Sequence, residues 1–253
     1  MRKLLLIFSL LSILCCKNKV VIDYQNHNYL ISLKEYTDST RKRIIPVAIY
    51  QPLNQKISNN IPVIFSHGYG ANKGDDYLVD YTYLLESLAA KGYFVISIQH
   101  ELKTDNLLAM DEPFKTTRMP NWKRGAENIG FVLNKIKTEF PSLNFEKLAL
   151  IGHSNGGDMS VIFAHQHPEL IYKLISMDNR RMDLPRVSKP KIYTLRSKDY
   201  PADKNVLPSL EEQKNLGITV EFTNINHSNM DNDANEEERN YMTTKILKYL
   251  NEK

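Results

Sequence analysis

The chain has 253 residues, 42% hydrophobic and 25% charged, with 33 basic against 29 acidic side chains and a formal charge of +4. Plentiful apolar residues without a short repeat exclude a disordered tail, a collagen and a coiled coil. A single long apolar run, at the very start, excludes a polytopic membrane protein, and Lys and Arg scattered without interleaved aromatics exclude a nucleic-acid binder.

Residues 1–16 read as an export signal. Arg2 and Lys3 precede an apolar stretch, Leu4 to Leu14, too short to cross a bilayer comfortably. Ile13-Leu14-Cys15-Cys16 resembles a bacterial lipoprotein processing site, which implies lipidation of Cys16 and attachment of the exported protein to the cell envelope. Cys15 and Cys16 are the only cysteines, so the domain at 17–253 must fold without disulfides. It keeps 31 basic against 29 acidic residues.

From there short β-branched runs alternate with amphipathic stretches. Strands are expected at 29–33, 44–50, 63–66, 93–99, 147–151, 172–177, 191–196 and 219–224. Most are nearly continuous apolar runs, the pattern of strands covered on both faces. Helices are expected at 77–90, 123–140, 155–165 and 236–250. The third is apolar nearly all round and should be buried. The last opens on Glu236, Glu237 and Glu238 and ends near Lys245 and Lys248, which suits the helix dipole. This alternation gives an α/β fold with a mostly parallel sheet, helices on both faces and an antiparallel edge from the first two strands. The stretch 101–122 fits neither period and is expected to hang over the site as a loop.

Chemistry concentrates at Gly152-His153-Ser154-Asn155-Gly156-Gly157. A G-x-S-x-G run between a strand and a helix forces the serine onto a strained turn, exposed above the sheet edge. A second run, Phe65-Ser66-His67-Gly68-Tyr69-Gly70, carries a strand into a His-Gly loop. The backbone N–H groups of Tyr69 and Asn155 are the expected oxyanion donors, with His67 a structural prop. His227, which follows the last strand, is the expected base. Two carboxylates compete to orient it, with Asp203 a distant third. Asp199 follows one strand and is preferred. Asp178 follows the strand before, and its neighbours Arg180 and Arg181 read as ion-pair partners. His100, Tyr200 and Met230 are the expected substrate contacts.

The order Ser, Asp, His, together with the His-Gly loop, resembles the α/β-hydrolase superfamily over residues 43–250. Within it the two motifs are similar to the lidless dienelactone-hydrolase, cutinase and platelet-activating-factor acetylhydrolase group. The resemblance implies an eight-stranded sheet, no metal or other cofactor, and serine-esterase chemistry on a small-molecule ester. Cutinase-like members place the acid at the position of Asp199, acetylhydrolase-like members at that of Asp178.

Other readings stay open at this level. A binding lipoprotein on the same fold is one, since fold does not dictate function. A peptidase or an acyltransferase would use the same three side chains. The run Asp231-Asn232-Asp233-Ala234-Asn235 alternates oxygens like a calcium loop, but Glu236 stands where the loop glycine belongs. It reads better as a cap for the last helix.

Overall fold

The structure is a computed structural model that describes residues 19–21, 28–54, 56 and 58–252. The expected leader at 1–16, with Cys16, lies outside them.

Nine strands form one sheet: β1 (Lys19–Val21), β2 (Tyr29–Asp38), β3 (Arg43–Pro52), β4 (Pro62–Ser66), β5 (Phe94–Ile98), β6 (Ala149–His153), β7 (Lys173–Met177), β8 (Lys191–Arg196) and β9 (Thr219–Phe222). Their spatial order is β1-β2-β3-β5-β4-β6-β7-β8-β9. The eight expected strands are all present, and β1 adds a short ninth at the edge. β1, β2 and β3 pair antiparallel, and β3 meets β5 antiparallel. From β5 to β9 every pairing is parallel.

The continuous apolar runs have a simple cause. Successive side chains of a strand face opposite ways, and both faces of this sheet are covered. Ile64, Ile96 and Leu150 pack into one core, with Trp122, Ile129, Leu133 and Met159. Val63, Phe65, Val95 and Ile151 pack into the other, with Leu84, Leu88, Met242 and Ile246. The first core lies under α4 (Met119–Glu139) and α5 (Ser154–Gln166), the second under α2 (Thr82–Ala90) and α7 (Glu236–Asn251). Each fully buried Leu or Ile stabilises the fold by about 1.5–3 kcal/mol relative to exposure.

The helices differ from the sequence pattern in three places. The expected helix 77–90 is broken into α1 (Asp76–Val79) and α2. The stretch 101–122 is largely irregular, as expected, but holds α3 (Phe114–Thr117) and the start of α4. The helix α6 (Leu210–Leu216), absent from the sequence reading, is held by a Ser209/Glu212 capping box and stopped by Gly217 at φ +67°. Asn235 caps α7 through a capping box with Glu238, so the 231–235 run does end as a helix cap.

β4 leads to β5 on one side, while β6 lies on its other side. Strand order therefore reverses at β4, and the crevice at the carboxyl ends of β4 and β6 is where such sheets bind ligands.

Candidate active site

Ser154 sits where β6 turns into α5, with φ at +51°. A residue with a side chain avoids this region, at a cost of order 1–3 kcal/mol. The surrounding glycines make the turn possible. A Cβ on Gly156 would stand 2.3 Å from the carbonyl oxygens of Ser66 and His67. One on Gly152 would stand 2.5 Å from the Gly156 oxygen. The first turn of α5 thus presses directly on the chain that leaves β4, at Ser66 and His67. Asn155 lies in the first helical turn, where N–H groups have no intrahelical acceptor.

The Ser154 hydroxyl meets His227 Nε2 at 2.9 Å, and His227 Nδ1 meets Asp178 Oδ2 at 2.6 Å. The acid here differs from the preferred one. Asp199 Oδ1 accepts the backbone N–H of His227 at 2.8 Å, so it fixes the loop and leaves the ring to Asp178. Arg180 and Arg181, whose adjacency suggested an ion pair with Asp178, pair elsewhere or not at all. The partner of Asp178 is Arg196, with Nη2 2.8 Å from Oδ1, and the Ser197 N–H reaches the same oxygen at 3.1 Å. Burial alone would push the Asp178 carboxyl up. The His227 bond, Arg196 and Ser197 outweigh it and hold the group below the usual carboxylate range.

The His227 imidazole lies between two rings. Tyr200 stacks on it with centroids 4.8 Å apart at 28°, and His153 lies 4.8 Å away at 40°. His153 is buried. Burial, then repulsion from His227, drops its pKa to about 3, so it stays neutral beside the other imidazole. Its Nδ1 takes a hydrogen bond from the Tyr81 hydroxyl at 2.7 Å, and the same hydroxyl accepts the Gly68 N–H at 2.9 Å. Tyr81 therefore ties the residue before Ser154 to the residue before Tyr69.

The side chain of Asn155 is held just as firmly. Trp122 Nε1 donates to its Oδ1 at 2.7 Å, and its Nδ2 donates to Glu101 Oε1 at 2.9 Å and Asn121 Oδ1 at 3.0 Å. Glu101 is buried, and that burial raises its pKa. His67 is also fully buried. Its Nε2 accepts the His100 N–H at 3.1 Å and its Nδ1 meets the Gly68 oxygen at 2.6 Å, the bonding of a loop prop.

Of the expected substrate contacts only Tyr200 faces solvent, at 44% exposure. His100 is 1% exposed and spends Nε2 on Ser66 Oγ at 2.9 Å. Met230 is 0% exposed, part of the α2/α7 core. Neither can touch a bound ester: the apolar side chain went to the core and the polar one to the sheet edge. Among the described residues no group of three or more His, Cys, Asp or Glu is arranged to hold a metal.

No protein-family model matches the sequence, and no curated protein matches it. Solved structures do. A thermostable esterase shares 18% identity at a TM-score of 0.56, over 88% of this chain and 62% of the esterase, so the chain spans less than two thirds of that protein. A lidless α/β serine hydrolase of Xanthomonas campestris shares 14% identity at a TM-score of 0.60, over 88% of this chain and 96% of the other. A dienelactone hydrolase of Anabaena variabilis shares 14% identity at a TM-score of 0.57, over 87% and 96%. The fold is the α/β-hydrolase fold. Sequence reading missed Tyr81, Glu101, Asn121 and Trp122. Each stands in an element read as helix or loop, and no local pattern marks a side chain that works by reaching across the molecule.

Proposed function

We propose that the chain is a serine hydrolase that cleaves carboxylic esters. The observation that carries this reading is the unbroken relay from Ser154 through His227 to Asp178, with the serine at a positive φ on the switch-point edge. His227 Nε2 takes the hydroxyl proton as Ser154 attacks the ester carbonyl. Asp178 holds the ring with its proton on Nδ1 and offsets the charge that forms. The N–H groups of Tyr69 and Asn155 receive the oxyanion, and each such donor is worth about 2.7–4 kcal/mol at the transition state. His227 then passes its proton to the leaving alcohol, and water repeats the sequence on the acyl-enzyme. None of these steps requires a cofactor.

A binding lipoprotein would have no use for a strained serine bonded to an imidazole, so the relay favours the enzyme. Labelling by a fluorophosphonate tests it: wild type should react at Ser154, and Ser154→Ala should lose both labelling and p-nitrophenyl ester turnover while remaining folded. Turnover unchanged in that variant would reject the proposal.

The leader motif supports export and envelope attachment through lipid on Cys16. Labelled fatty acid should enter the full chain and not Cys16→Ala. Equal incorporation would reject the anchor.

A further inference from the structure

The acyl-transfer chemistry leaves unused a rim of arginines and aromatic rings beside the relay. Arg180 lies over the Tyr200 ring, with its guanidinium 3.5 Å from the centroid. Tyr200 gives its other face to His227, so this cation stands one ring's thickness from the base. A few residues away Phe114 is clasped between two more guanidiniums, Arg181 at 4.3 Å and Arg118 at 4.4 Å.

The charges of this rim are poorly matched. Arg181 pairs with Asp203 at 2.5 Å. The other acids close by are engaged: buried Asp158 takes N–H bonds on Oδ1 from Asn179, Arg181 and Met182, Asp199 holds the His227 N–H, and Asp183 pairs with Lys115 at 2.7 Å. Arg118 and Arg180 have no carboxylate within 4.0 Å among the described residues. Arg180 is anchored through Nε on the Pro201 oxygen at 3.2 Å, and Arg118 through Nε on the Ala109 oxygen at 2.8 Å and Nη2 on the Met110 sulfur at 3.4 Å. Burial, then repulsion from Arg181, lowers the pKa of Arg118 against the opposing pull of Asp158. Arg180, fixed through Nε, still presents both terminal nitrogens, which match a carboxylate in bidentate geometry, and Arg118 presents Nη1 beside it.

We propose that this rim is a carboxylate-binding subsite, and that the ester cleaved at Ser154 carries a free carboxylate on its acyl or its alcohol part. The inference rests on the esterase reading above. Stacking on Tyr200 and Phe114 holds the cations rigid, so little side-chain freedom is lost when an anion arrives. The half-open position keeps the attraction sensitive to salt.

Two matched ester pairs test it: 4-acetoxybenzoate against its methyl ester, with the charge on the leaving group, and monomethyl against dimethyl adipate, with the charge on the acyl part. In at least one pair wild type should favour the charged ester in kcat/KM by about tenfold or more, as charged hydrogen bonds allow. The preference should shrink with added salt. It should largely vanish in Arg180→Gln and in Arg118→Gln, with turnover of the neutral ester unchanged. Equal or better use of the neutral ester in both pairs overturns the subsite. So does an equal loss on charged and neutral esters in both variants. Fluorophosphonate labelling of the same preparations separates the two readings. Labelling without a charge preference removes the subsite alone, whereas no labelling and no turnover removes the esterase and the subsite with it.

Discussion

Asp178 and His227 meet side chain to side chain at 2.6 Å, although 49 residues of chain separate them. Asp178 reaches that position from the end of β7 with φ at +57°, and its second oxygen is held by the Arg196 ion pair. His227 is delivered by the loop after β9, whose backbone Asp199 pins. One carboxylate therefore orients the ring and the other the loop.

This division gives the first expected outcome. Asp178→Asn should lower ester turnover by about four orders of magnitude, as loss of the ring's partner does in a triad. It should also cost roughly 3–5 kcal/mol of stability, because Arg196 stays buried without its counter-charge. Asp199→Asn keeps an oxygen for the His227 N–H and should lose less than about tenfold in rate. Turnover on folded variants, with urea unfolding, checks both.

Tyr81→Phe removes a hydroxyl that bridges Gly68 and His153. The Gly68 N–H and His153 Nδ1 are then left without partners, at about 1–3 kcal/mol each. Because these residues precede Tyr69 and Ser154, kcat should fall by roughly tenfold or more through misplacement, with KM little changed. Thermal melting and a kcat/KM split measure this. A lower melting point with kcat intact would mean that Tyr81 holds the fold and not the geometry of the reaction.

Gly156→Ala should abolish the elbow. The added methyl would stand 2.3 Å from two backbone oxygens, and neither can move without shifting β4. Overpacking of this kind costs about 1–3 kcal/mol or more. Loss of fluorophosphonate labelling together with a lower melting point is the expected outcome.

Glu101 supplies a pH dependence. Its ordinary pKa is 4.5, and burial raises it in the folded chain. As pH climbs past 4.5 the unfolded chain ionises at this residue first, so it binds fewer protons than the folded chain and stability falls with rising pH. The fall ends once pH passes the folded value. Gln at 101 keeps an oxygen for Asn121 and Asn155 and carries no charge. Urea midpoints measured from acid to neutral pH should therefore decline less in Glu101→Gln than in wild type, and identical slopes would refute the assignment.

Much of the architecture was legible because its causes are local. The apolar runs at Val63–Phe65 and Ala149–Ile151 announce strands covered on both faces, and the glycines around Ser154 announce a turn too tight for side chains. The Ser209/Glu212 box and Gly217 are equally local signals for α6. The break between α1 and α2 had no such signal, since Tyr77, Tyr81 and Leu84 are all buried on the same side.

The residue sequence by itself determined the order of strands and helices and the serine that the elbow presents, because periodicity and backbone sterics act over a few residues. Only the tertiary structure decided which acid faces His227, that His100 and Met230 are buried, and that Trp122, Asn121 and Glu101 grip Asn155. Those outcomes depend on which strand ends and loops the sheet order brings within hydrogen-bond reach. Distance through space, unlike period along the chain, leaves no mark on neighbouring residues.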